Sequence, residues 1–243
     1  MSFRKSCGSV FNWIFSQVDM GWLDFILGKK TPKSSFVEAY ESGFEKKISD
    51  VRPISELLFV VLDTETTGFN PKNDHIISFG AIKLKGFSMP VASGIERYLD
   101  TPVQNRESVK VHEILYPIET SPLKDFGKDM LNYIGSDIIV GHHIGFDLAM
   151  LEKTLQPFGF KKFLNPVIDT KYLAMRLEKG PHFDQSTAIK EEYALDAVCT
   201  RYGIELDDRH TAAGDAFLTA QLLMKLLKIA ATKGIKDFGG LIR

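Results

Sequence analysis

The stretch Leu57-Leu58-Phe59-Val60-Val61-Leu62-Asp63-Thr64-Glu65-Thr66-Thr67-Gly68-Phe69 decides the fold. Its first six residues are continuously apolar and of strand length, the pattern of a central strand buried on both faces. The apolar run ends where carboxylates begin. Side chains two apart on a strand share a face, so Asp63 and Glu65 are expected side by side at its C-terminal end. Neighbouring carboxylates raise each other's pKa unless a positive charge lies between them. A hard divalent cation, Mg2+ or Mn2+, suits such oxygen ligands. The same residues are also what a strand leaves when it simply runs into the polar turn Thr66-Thr67-Gly68, so the pair needs support from elsewhere in the chain.

Working outward, residues 76–84 and 93–99 read as the next two strands, with Gly86 and Pro90 marking the turn between them. These make an antiparallel meander with the first strand. Helical periodicity covers about 108–115 and 123–134, a short strand follows at 137–141, and further helices are expected at about 146–156, 170–177, 194–202 and 211–233. Strands that are first antiparallel and then alternate with helices predict an α/β domain with a mixed sheet flanked by helices.

Composition changes near residue 50. The preceding segment holds both tryptophans, Trp13 and Trp22, and places Val10, Phe11, Ile14, Phe15, Val18, Phe25 and Ile26 with Trp22 on one helical stripe. A break at Gly28-Lys29-Lys30-Thr31-Pro32 precedes a second helix at about 35–47. Residues 1–50 are therefore expected to form a helical N-terminal arm and residues 51–243 the main domain. The arm's apolar stripe serves either packing against its own domain or docking on a partner or a membrane face.

The 243 residues include 30 basic and 31 acidic side chains, for a formal net charge of −1. That balance does not advertise a nucleic-acid partner, and any phosphate binding must be local. Cys7 and Cys199 are too few for a disulfide framework and fit a reducing compartment, with the cytoplasm as the expected location. Polar residues from Asn12 to Asp24 interrupt the apolar stretch near the N-terminus, so neither a signal peptide nor a membrane span is expected.

Two more acidic positions strengthen the first pair. Asp147 follows the short strand in Gly141-His142-His143-Ile144-Gly145-Phe146-Asp147, and Asp215 opens the last long helix in His210-Thr211-Ala212-Ala213-Gly214-Asp215. Singly, each is also what the helix macrodipole favours in a first turn. Together with Asp63 and Glu65 they supply four carboxylates, enough for a two-metal site that cleaves phosphodiesters. In order, spacing and local sequence, Asp63/Glu65, Asp147 and His210/Asp215 resemble the three motifs of the DEDDh (DnaQ-like) 3′→5′ exonucleases, a family that includes the bacterial DNA polymerase III epsilon proofreading subunit, ribonuclease T and oligoribonuclease. The likeness spans about residues 55–233 and extends to segments around Ser78, His112, Asp169 and Asp196.

The resemblance implies a ribonuclease-H-like fold with a mixed five-stranded sheet. It also implies two divalent cations, Mg2+ or Mn2+, with Asp63 bridging both, Glu65 and Asp215 completing one shell and Asp147 reaching the other. His210 is implied as the general base, since an imidazole titrates near neutral pH. Five residues separate it from Asp215, about 140° on a continuous helix, so it is expected on the loop before that helix. Thr66, Thr67 and Gly68 resemble the turn that cradles the terminal nucleotide. Phe146 reads equally as a stacking wall or as core, and His112 equally as a cleft residue or a surface histidine. Lys161, Lys162, Lys171, Arg176 and Lys179 form a modest basic cluster that either meets a strand backbone or is a solvated helix face. Departures from the family are His143 where relatives carry Asn, Ser78 where they carry Glu, and Glu113 where they often carry Gly.

The expected activity is release of nucleoside monophosphates from single-stranded or frayed DNA 3′ ends in proofreading or repair. A replication or repair protein would then be a partner through residues 1–50. RNA is the alternative substrate, since the distinction rests on how one 2′-hydroxyl is treated. A catalytically idle tethering module is the second alternative.

Overall fold

A computed structural model describes residues 32–100, 119–184, 189 and 191–243. The chain divides into Met1–Pro32 and Lys33–Arg243, and the second unit carries everything below. Strand β1 (Leu58–Thr66) is its centre: Phe59, Val60 and Val61 are fully buried and Leu62 nearly so. Continuous apolarity here reflects helices on both sides of the sheet. The antiparallel neighbours β2 (Ile76–Lys85) and β3 (Ile95–Leu99) complete the meander. On the other side β5 (Ile138–Gly141) runs parallel to β1, and β6 (Val167–Asp169) parallel to β5. A two-residue strand, β4 (Thr120–Ser121), pairs in parallel with β3 at the far edge.

The order is β4-β3-β2-β1-β5-β6, six strands rather than the five expected. Four of the six have ranges read from the sequence, and the two without are short edge strands. β6 follows Pro166 and offers three residues, too few for an alternating pattern to show, and β4 has two.

The apolar residues divide between the two faces of the sheet. Phe59 and Val61 of β1 pack with helices α4 (Thr170–Lys179), α5 (Leu195–Arg201), α6 (Ala212–Thr232) and α7 (Phe238–Ile242). Val60 and Leu62 pack with α1 (Ser35–Ser42), α2 (Leu123–Ile134) and α3 (Gly145–Leu155). On α2, Phe126, Met130, Leu131 and Ile134 make the buried stripe.

Helix α1 belongs to this core and not to a separate arm. Phe36, Val37 and Tyr40 are buried, and the Tyr40 hydroxyl donates to Asn165 Oδ1 at 2.6 Å and accepts from Leu164 N at 2.8 Å. Residues 33–50, expected in the arm, therefore pack with the domain. The helix ends at Ser42, capped by Gly43, short of the expected 47. The remainder of the arm, the helix expected at 108–115 and His112 lie outside the described residues. Among those described, no helix is long and apolar enough to cross a membrane.

Candidate active site

β1 delivers Asp63 and Glu65 on the face of Phe59 and Val61, the side of α6, while Thr64 between them turns toward α3. Directly opposite Asp63 on β2 is Gly80. A Cβ there would lie 2.2 Å from the Ala212 carbonyl carbon and 2.3 Å from Ala213 N. The first turn of α6 thus rests its backbone on the sheet at the one pair position that has no side chain in the way. Three residues on from Ala212, Asp215 is carried over the end of β1. Asp63, Glu65 and Asp215 each offer an oxygen within 4.8 Å of the others.

Asp147, in the first turn of α3, approaches from the opposite face. Its Oδ1 accepts from Thr64 N at 3.0 Å and from Thr64 Oγ1 at 2.6 Å. The fourth carboxylate is therefore tied to the residue that separates the first two.

Crowding acidic groups in partly desolvated surroundings penalises their charged forms. Burial, then the charges of Asp147, Asp215 and Glu65, push Asp63 well above the usual carboxylate range, with Arg209 opposing. Glu65 is pushed up to about 7 by burial and by Asp215 and Asp147. Burial raises Asp147 to about 6 despite the Thr64 hydrogen bonds, which pull it down. A divalent cation is the group that relieves such a set, and an all-oxygen donor set fits a hard one.

His210 lies on the turn before α6, exposed, with φ of 66°. Asp208 also has positive φ, 52°. The turn is stitched to the helix it precedes. Thr211 Oγ1 donates to Asp208 O at 3.0 Å and accepts from Gly214 N at 3.0 Å, and a Cβ on Gly214 would come within 1.9 Å of Asp208 O. Between these two strained residues stands Arg209, which the sequence reading passed over. Its Nη1 donates to Asp215 Oδ1 and its Nε to Asp196 Oδ1 on α5.

On the other rim, Asp74 holds the turn after Glu65. Its carboxylate accepts from Thr67 Oγ1 at 2.9 Å and from Asn70 N at 2.8 Å, and it sits 2.7 Å from where a Cβ on Gly68 would be. Thr66 Oγ1 donates to Gly68 O at 2.8 Å. Phe69 projects from this turn 91% exposed, its ring centroid 6.1 Å from that of Phe146, itself half-buried against the α3 side. Phe146 is thus both core and rim, and Phe69 is a rim aromatic that a polar turn context had hidden.

The adjacent histidines diverge. His142 is held by Thr170 Oγ1 and Tyr193 O, each at 2.9 Å, and burial keeps its pKa low; His143 points outward and meets Lys171 Nζ. Of the basic cluster, Lys171 is taken by that contact, Arg176 donates to Leu241 O at 2.8 Å, and Lys179 lies 3.4 Å from Glu192. Their heads are committed within the fold, leaving Lys161 and Lys162 exposed. A cavity of about 630 Å³ lined by Tyr172, Arg176, Phe183 and Ile242 contains none of the four carboxylates.

A mixed sheet whose middle strand ends in a crowded set of carboxylates is the arrangement of a nuclease of the carboxylate-centred class. Comparison with known proteins narrows the class. The exonuclease family model matches residues 60–223, and the chain belongs to that family. Among its relatives is the PolC-type DNA polymerase III of Bacillus subtilis, 32% identical over 190 residues, which are 76% of this chain and 12% of that protein. A DNA polymerase III subunit epsilon-like protein of Rhodobacter capsulatus is 31% identical over 82% of this chain and 28% of its own length. The chain therefore spans a minor part of these two relatives, whereas it covers 88% of the Aquifex aeolicus DNA polymerase III subunit epsilon, at 28% identity. Escherichia coli Exonuclease I in complex with a dT13 oligonucleotide shares the fold at a TM-score of 0.59 and 14% identity, over 74% of this chain and 43% of that one.

Proposed function

We propose that the chain is a metal-dependent 3′→5′ exonuclease that releases nucleoside monophosphates from single-stranded or frayed DNA ends, with Asp63, Glu65, Asp147, Asp215 and His210 as its working residues. The observation that carries this reading is the cluster of Asp63, Glu65 and Asp215 oxygens within 4.8 Å, with Asp147 hydrogen-bonded to Thr64 beside it. Asp63 feels the charges of Asp147, Asp215 and Glu65 together and is the residue that would share two cations. Glu65 and Asp215 would complete the shell of one, and Asp147 would serve the other. Bound there, two Mg2+ or Mn2+ ions would supply an activated water and stabilise charge on the leaving 3′ oxygen.

The chain's own groups do the rest. His210, exposed on its turn, takes the proton of the attacking water. Thr66, Thr67 and Gly68, fixed by Asp74, form the floor for the terminal nucleotide, and the Phe69–Phe146 pair supplies a face on which its base stacks. DNA is favoured over RNA because the relatives named above carry DNA polymerase III names and the structural neighbour is in complex with a dT13 oligonucleotide. The same names support work beside a DNA polymerase, for which we propose cytoplasmic proofreading or repair, with the part of residues 1–50 that precedes α1 as the contact.

The test is incubation with 5′-labelled single-stranded DNA, RNA of the same sequence and mismatched duplex, in Mg2+, Mn2+ or chelator. The expected result is a ladder shortening from the 3′ end, on DNA faster than on RNA, lost in chelator and in Asp63→Ala. Internal cuts, or cleavage that persists in chelator, would refute the assignment. Faster cleavage of RNA would transfer it to an exoribonuclease.

A further inference from the structure

Arg209 touches the site without belonging to the family's five working residues. Its guanidinium donates from Nη1 to Asp215 Oδ1 and from Nε to Asp196 Oδ1, and the side chain is 19% exposed against 12% for Asp215 and 51% for Asp196. Its positive charge opposes the upward push on both Asp63 and Glu65. The backbone that presents it is unusual: it lies between two non-glycine residues of positive φ, Asp208 and His210, on a turn pinned to α6 through Thr211 and Gly214. A guanidinium and a divalent cation satisfy the same carboxylate, and one oxygen directed at the arginine is not directed at the metal.

We propose that Arg209 is a positioning residue, a displaceable internal counter-cation that holds Asp215 when the site lacks metal and withdraws onto Asp196 when metal loads. Asp196 is the anchor that receives the released guanidinium. His210 is the next residue on the same turn, so withdrawal of Arg209 shifts the imidazole together with it. Metal loading and placement of the histidine are thereby one event, and the carboxylates are spared mutual repulsion before it. This rests on the metal-binding reading above and adds to it the residue that gates the site.

The experiment is calorimetric Mn2+ titration of the full chain and of Arg209→Gln, Arg209→Lys and Asp196→Asn, with Asp63→Ala as the control for the site. Losing a charge-assisted bond to Asp215 is expected to tighten Mn2+ binding about tenfold in Arg209→Gln. Lysine keeps the charge but cannot span both carboxylates, so Arg209→Lys is expected to fall between the two. In Asp196→Asn, where the guanidinium has Asp215 as its remaining acidic partner, binding is expected to weaken several-fold. The His210 Cε1–H resonance is expected to move on Mg2+ addition in the wild type and to start near its metal-bound position in Arg209→Gln. Arg209→Gln binding no tighter than wild type, or Arg209→Lys binding identical to it, overturns the proposal while the functional reading stands. Wild-type protein that takes up no more Mn2+ than Asp63→Ala removes both.

Discussion

Glu65 carries a pH signature that separates the metal-free from the loaded state. Its folded pKa of about 7 lies above the ordinary value of 4.5, so the metal-free fold holds a proton between those limits that the unfolded chain has released. Stability from this group is fully present below about pH 4.5 and is lost as pH rises through about 7. In chelator the thermal midpoint is expected to fall between pH 5 and 7.5, and Glu65→Gln is expected to flatten that slope. Metal must displace the same proton, so Mn2+ binding at pH 6.5 should release protons, seen as a calorimetric enthalpy that varies with the buffer's ionisation enthalpy. Affinity should weaken as pH falls from 7 to 5. Thr64 governs the neighbouring carboxylate. Thr64→Val keeps the side-chain shape but removes the 2.6 Å hydroxyl bond to Asp147, at an expected cost of about 1–2 kcal/mol in denaturant titrations. The same change should lift Asp147 further above 6, because that hydrogen bond is the largest of those that hold it down.

At the scale of elements, the site depends on how α6 meets β2. Gly80→Ala places a Cβ 2.2 Å from the Ala212 backbone, and neither strand nor helix backbone can yield without moving Asp215 away from Asp63. We expect a loss of about 1–3 kcal/mol and a weakening of Mn2+ binding in the protein that remains folded. Gly145→Ala is the matched control, since nothing lies within 4 Å of its added Cβ at the start of α3. It should be neutral or stabilise by up to about 1 kcal/mol. Much of this architecture was legible beforehand. The apolar run before Asp63 read as a strand covered on both sides, which holds from Phe59 to Leu62, and the period-two alternation then placed Asp63 and Glu65 together. α2 runs over the expected 123–134 because its buried stripe is regular. What escaped was short or long-range. β6 has three residues, and Arg209 meets Asp196 thirteen positions away through a turn of positive φ that no local pattern announces. Phe69 was missed for a related reason: its exposure follows from the Asp74 hydrogen bonds that shape its turn, and not from its neighbours in sequence.

For the molecule as a whole, the question is where the exonuclease unit starts. The composition break near residue 50 is real, yet it separates segments by content and not by contacts. α1 lies on the far side of that break and still seals the α2–α3 face of the sheet, with Phe36 against Phe158, Tyr40 against Phe160 and Phe163, and the Tyr40 hydroxyl joining Leu164 N to Asn165. Asn165 in turn donates to Gly135 O and Asp137 O at the mouth of β5, so α1 is linked by hydrogen bonds to the strand that leads to Asp147. Burying Phe36, Val37 and Tyr40 contributes roughly 4.5–9 kcal/mol on the usual 1.5–3 kcal/mol per large apolar side chain, comparable to the whole stability of an ordinary domain. A chain begun at Lys33 is therefore expected to unfold in one cooperative transition and to keep Mn2+ binding close to that of the full chain. One begun at residue 51 should expose the α2–α3 face and lose cooperative unfolding. Equal melting of the two shortened chains would show that α1 merely rests on the domain, and would return the boundary to residue 50.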